Sequence, residues 1–213
     1  MKLTHLLPLA SLWPSLAAAD YFFRLSGSTK FPAINNQRLR NNASTTPGVT
    51  LAPYNPDDHF SRAAVANPDD PYTPLFVVPT NPHPPPVPGY YGLTSRDVDV
   101  PDALRLVYTY RPDDEAAEGR QFYYEEWKLQ RAMGRCGPNG KLMLSYRPVT
   151  GGQWRWFAVK ETNMLGFEKW VPWYIKRSPS NEAIMATWEY DTVEIDMVEA
   201  GPVNSEAPGG VEE

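Results

Sequence analysis

Two kinds of side chain in this sequence could do chemistry: paired carboxylates and closely spaced tryptophans. Glu125 shares an expected strand face with Tyr123 and Trp127, and Glu126 falls on the other face. Glu194 and Asp196 lie on one side of the last expected strand. Two acids flanking a sugar linkage are what glycoside hydrolysis needs, one as acid and one as base or nucleophile. Alternation gives such acids a commoner role, the solvated face of a strand whose other face is core. Spacing alone does not set two acids across one cleft, so no catalytic residue is assigned.

Trp154, Trp156, Trp170 and Trp173 are four of seven tryptophans in the chain. Trp154 and Trp156 share one face of an expected strand with Ala158, while Arg155, Phe157 and Val159 share the other. If Phe157 and Val159 point inward, the two indoles form an exposed ladder at about 7 Å, two strand rises apart. Flat platforms of that kind stack on sugar rings and on partner surfaces. If the indoles point inward they are core, the usual fate of large aromatics, and Arg155 lies outside. Trp170, Pro172 and Trp173 carry the same two alternatives.

Other chemistries lack their residues. Histidine is confined to His5, His59 and His83, and Cys136 is the single cysteine, so no His/Cys cluster for zinc exists. No G-x-S-x-G elbow, G-x-G-x-x-G turn or P-loop is present. No cofactor and no metal are implied. A lone cysteine in a secreted chain reads as a buried small hydrophobe or as an intermolecular bridge.

The elements that must position these residues are mostly strands. Tyr21 to Leu25 is an aromatic-rich first strand. Asp57 to Ala66 suits a short helix, with an Asp at its N-cap and Pro68 just past its end. Pro74 to Val78 suits a strand, and Asn81 to Pro86 a polyproline-like connector. Leu104, Leu106, Tyr108 and Tyr110 alternate with Arg105, Val107 and Thr109, the period of a half-buried strand. Gln121 to Leu129 and Lys141 to Tyr146 repeat that pattern, with Asn139-Gly140 as the hairpin turn between them. Thr150-Gly151-Gly152 turns into the tryptophan strand. Ser178-Pro179 opens one or two helical turns, and Val193, Ile195 and Met197 face inward from a closing strand. Short alternating runs separated by turns predict an antiparallel β-sandwich or barrel with one or two short helices.

Residues 1–19 combine Lys2, a short apolar middle broken by Pro8 and Pro14, and Ala17-Ala18-Ala19, the build of a secretory signal peptide. A single domain is expected over 20–200, with a proline-rich segment at 47–88 inside it and a disordered tail at 201–213. Asn42-Ala43-Ser44 is an N-glycosylation sequon in a polar loop. Loss of Lys2 with the signal moves the formal charge from −5 to −6. An acidic surface with scattered cations disfavours nucleic acid and anionic lipid. The mature chain is therefore expected to meet neither nucleic acid nor membrane, and to be a monomer.

A one-lysine signal, an aromatic mature start, a proline-rich middle and a β-rich end carrying Trp154-Arg155-Trp156 and Trp170-Val171-Pro172-Trp173 resemble the small secreted proteins of filamentous fungi. That resemblance implies a cell-wall, surface or host-directed role. The functional expectation is a secreted, non-enzymatic β domain that binds a polysaccharide or another extracellular surface through exposed aromatics. The alternatives are a carbohydrate-active enzyme using a carboxylate pair and a purely structural extracellular protein.

Overall fold

The computed structural model describes residues 20–41, 45–50, 59–67, 70–78, 89–95, 102–112, 121–134, 137–148 and 150–200. Asn42, His83, Cys136, the polyproline run and the 201–213 tail lie outside them.

The chain is mainly β, and eight antiparallel strands close on themselves. In spatial order these are β1 (Asp20–Ser26), β5 (Arg62–Val65), β6 (Leu75–Val77), β7 (Gly89–Thr94), β8 (Ala103–Thr109), β13 (Glu168–Lys176), β12 (Trp154–Thr162) and β14 (Tyr190–Glu199). Pairing of β1 with β14, from Tyr21 opposite Glu199 to Ser26 opposite Glu194, seals the barrel. Closure leaves none of the eight with an unpaired edge. Extra strands flank it: β3 (Val49–Thr50) on β13, β9 (Phe122–Tyr123) on β7, and the hairpin β10 (Trp127–Gly134) and β11 (Gly137–Tyr146) on β14. A separate ribbon pairs β2 (Arg40–Asn41) with β4 (His59–Phe60).

Alternation decides what each face buries. Phe23, Leu25, Tyr91, Leu93, Leu104, Leu106, Trp156, Val193, Ile195 and Met197 point into the barrel, joined by Trp127 from β10 and by Ile34 and Leu39 from the connection after β1. A second core lies outside the wall. There Ala103, Phe157, Val159, Val171, Trp173 and Ile175 are covered by Met185 of helix α1 (Pro179–Met185) and by Trp188 and Tyr190. The Ser178 side chain accepts the Asn181 N–H and Pro179 occupies the first turn, the capping expected from the sequence.

Pro172 sits in the wall where it does least harm. On the flank of β13 away from β12, β3 pairs at Lys169 and Trp170 and β8 pairs from Trp173 to Ile175. Pro172 falls in the gap between them, as expected of a residue without an N–H to offer a ladder.

Four local expectations are corrected. The helix expected over Asp57 to Ala66 is, from His59 where the described residues resume, β4 and β5 instead, because Ala63 and Val65 enter the barrel while β5 pairs with both β1 and β6. Tertiary pairing overrides local helix signals of this strength. The strand expected over Gln121 to Leu129 is two, since the chain leaves the sheet after Tyr123 and re-enters at Trp127 with Glu125 exposed between. Asn139-Gly140 is not the hairpin turn: Gly134 opposes Gly137, and Asn139-Gly140 falls in the register shift between the Met133–Pro138 and Arg131–Leu142 pairs. A bulge accommodates unmatched residues within a strand without reversing the chain. Finally, Asp196 is not on a solvated face. It is buried, bonded to Arg24 (3.1 Å), Lys141 (2.9 Å) and the Ser26 hydroxyl (3.1 Å).

Candidate functional site

The sequence-derived candidates do not converge on one surface. Trp156, Trp170 and Trp173 are each no more than 5 % exposed. Trp156 lies in the barrel, its Nε1 donating to the Leu144 carbonyl (2.7 Å) and its ring parallel to Trp127 at 6.4 Å. Trp170 joins the same core and meets Phe31 at 4.6 Å. Trp173 lies in the outer core, donating to Glu161 (3.0 Å) and packing on Trp188. Trp154 is half-buried, stacked on Tyr174 at 5.4 Å with its Nε1 on the Thr150 carbonyl. The exposed ladder is therefore corrected to core, because both faces of β12 are covered.

The candidate acids are spread in the same way. Glu126 pairs with Arg147 (2.6 Å), and Glu194 shares Lys141 with Asp196. Among the described residues no group of three His, Cys, Asp or Glu side chains could hold a metal.

The site the fold does build lies on the outer face of β12. It is a cleft of about 320 Å³, bounded by β12, the end of β13, α1, the start of β14 and the loop after β1. That volume is at the lower end of small-molecule sites, about 300–1,000 Å³. Arg155 projects into it because it alternates with the inward Trp154 and Trp156, and Phe157, two residues on, forms the floor with Ile175 and Met185. Lys176 and Arg177 line it where β13 ends, and Lys30 arrives on the loop.

Asp191 holds that loop. Its Oδ2 accepts the Ser28 hydroxyl and the Thr29 and Lys30 N–H groups, each at 2.7 Å. Burial would raise its carboxyl, but the Ser28 hydroxyl and the N–H groups of Lys30, Thr29 and Thr192 outweigh that and hold it below the usual carboxylate range. The loop places the Lys30 ammonium 4.6 Å from the Tyr190 ring centroid, a cation–π contact. Lys176 pairs with Asp102 (3.4 Å) and Arg177 with Glu182 (2.9 Å). Among the described residues neither the Lys30 ammonium nor the Arg155 guanidinium forms an ion pair, although the Lys30 backbone is bonded to Asp191. Asn181 closes the floor from α1, its Nδ2 donating to the Lys176 carbonyl (2.9 Å) and its Oδ1 buried without a partner.

Chemically, the cleft offers two cations that form no ion pair among the described residues, above an apolar floor, and both of its carboxylates are committed. Asp191 is ionised and spends its oxygen on the loop, while Glu182 is bonded by two Arg177 nitrogens. An acid held ionised below its usual range is a poor proton donor. Alternation marked Arg155 as outward once Trp154 and Trp156 are core. Lys30, Asn181 and Asp191 had no signal of their own. No protein-family model matches this chain, and no curated protein and no solved structure is significantly similar to it.

Proposed function

We propose that the chain is a secreted, non-catalytic β-barrel that binds an acidic saccharide unit in the cleft between β12, β14 and α1. The observation that carries this reading is the pair Lys30 and Arg155, which form no ion pair among the described residues, over the floor of Phe157, Ile175 and Met185. A carboxylate on a sugar ring supplies the charge those cations lack, and the ring's apolar face suits the floor. Secretion rests on residues 1–19, with a glycan at Asn42. The tryptophans contribute by building the wall that presents Arg155.

Titration with oligogalacturonate tests the reading, with cello-oligosaccharide as the neutral comparison and protein recovered from the medium of a eukaryotic host, beginning at Asp20. Acidic oligomers bind and neutral ones do not. Arg155→Ala and Lys30→Ala each weaken binding about tenfold at low salt, as expected for loss of a charge-assisted contact worth about 1.4 kcal/mol at a partly exposed site. Equal affinity for the neutral oligomer, or an unaltered affinity in the double variant, would overturn it. Release of shorter products would assign catalysis instead.

A further inference from the structure

The cleft does not use the most exposed apolar side chains of the described residues, which gather at the turn joining β12 to β13. Met164 is 106 % exposed, Leu165 78 % and Phe167 52 %. Turns normally carry Gly, Asn, Asp, Pro or Ser, and here Asn163 and Gly166 do that work. The Asn163 Oδ1 accepts the Leu165 and Phe167 N–H groups (both 2.9 Å), and its carbonyl accepts the Gly166 N–H (2.9 Å). Its own N–H donates to the Phe167 carbonyl (2.9 Å), continuing a ladder paired up to Thr162 and Glu168. Gly166 takes φ +80°, in the left-handed region that favours glycine. The turn is held from within, and three of its apolar side chains point at solvent.

We infer that this turn is a membrane-surface anchor, with Met164, Leu165 and Phe167 entering the interfacial layer of a zwitterionic phospholipid bilayer. Three features choose that occupant. The first is shape and size: three side chains on a convex tip supply only a few hundred Å², against roughly 800 Å² per partner in a stable protein complex. A bilayer takes up a protruding apolar tip without a matching groove. The second is the backbone. The Leu165, Gly166 and Phe167 N–H groups are satisfied inside the turn, which lowers the cost of carrying them into a water-poor layer.

The third feature is charge. Lys160 is bridged to two carboxylates, Glu168 (2.9 Å) and Glu189 (3.2 Å), so the collar below the tip has an excess of negative charge, and the chain carries a formal charge of −5. Anionic lipid gains nothing from such a surface. The expectation of no membrane contact considered spanning segments and basic clusters, and the tip needs neither.

Flotation with phosphatidylcholine vesicles tests the inference on chains that differ only at the tip. The affinity of the wild-type tip lies at or below the roughly 10⁴ M⁻¹ of a single myristoyl chain, so millimolar lipid is used. Each of Met164→Ser, Leu165→Ser and Phe167→Ser lowers partitioning about tenfold at most, and the triple variant lowers it by more than the best single one. Adding phosphatidylserine does not strengthen binding, and Arg155→Ala leaves it unaltered. The triple variant keeps the wild-type melting temperature, because the tip lies outside both cores. The inference is overturned if wild type and triple variant float equally, or if neither floats. A wild-type dimer that the triple variant abolishes, without flotation, overturns it in favour of a second copy of this chain.

Discussion

Truncating Trp156 measures how the barrel is held together. Its ring is parallel to Trp127 at 6.4 Å and tilted against Tyr174 at 4.9 Å, and its indole N–H satisfies the Leu144 carbonyl. Trp156→Ala removes the largest class of side chain from a closed wall that cannot collapse inward, which by itself costs about 3–5 kcal/mol. Loss of two ring contacts adds about 0.5–1.5 kcal/mol each where they are not already counted. The stranded carbonyl adds about 1–3 kcal/mol. These terms overlap, so about 5 kcal/mol is the working figure, a third or more of a typical domain's net stability of about 5–15 kcal/mol. Trp156→Phe keeps most of the packing and should cost about half as much. Phe157→Ala, on the opposite face, should also cost about 3 kcal/mol, because it packs on Tyr190 in the outer core. Urea unfolding followed by far-ultraviolet circular dichroism reads all three. An unaltered midpoint for Trp156→Ala would refute the interior assignment, and a silent Phe157→Ala would refute the second core.

Two further outcomes follow from titrating groups. The Asp191 carboxyl is depressed in the folded state, so its contribution is present above its ordinary value of about 3.9 and is lost as pH falls through the lower folded value. Asp191→Asn should therefore lower the melting temperature at pH 7 and flatten the acid limb below about pH 4; an acid limb parallel to wild type would contradict the role given to Asp191. Lys141 behaves oppositely: burial lowers it, but its bonds to Asp196 and Glu194 prevail and raise it. Its contribution is complete below the usual lysine value of about 10.4 and fades as pH climbs through the raised one. Lys141→Met should cost about 1–3 kcal/mol at pH 7, discounted for a partly exposed ammonium, and should approach wild type in strong alkali; a difference that persists there would show that packing, not charge, is lost.

The strands were readable wherever one face alternates cleanly, as in Leu104 and Leu106 or Val193, Ile195 and Met197. Period two states which residues share a face, but it is silent about what covers that face. For β12 the cover on the second side is Met185 and Trp188, which come only after the whole of β13, from the helix and the turn that follow it. The exposed-ladder expectation failed for that reason: it assumed that one face must be wet. The same gap explains Asp196, whose partners Arg24 and Lys141 stand on β1 and β11, both remote from it in sequence. Lys30 belongs to the cleft only because a carboxylate 161 residues away fixes its backbone, a contact no local spacing encodes.

Helix α1 gives the cleft and the outer core a common origin. Met185 and Asn181 are four residues apart on one helical face, so the turn that seals the outer core with Met185 also sets Asn181 beside the cleft. Covering Phe157 and Ile175 is explained by stability alone, but leaving Lys30 and Arg155 above them without an ion pair among the described residues is not. Two like charges on one rim cost a little stability and gain it back only when an anion arrives. Arg155→Ala should therefore leave the unliganded protein as stable as wild type or slightly more so, while removing the stabilisation that acidic oligomers confer. A charge that is dispensable for folding and needed for the ligand-induced shift in melting temperature is what separates a binding site from a solvated strand face.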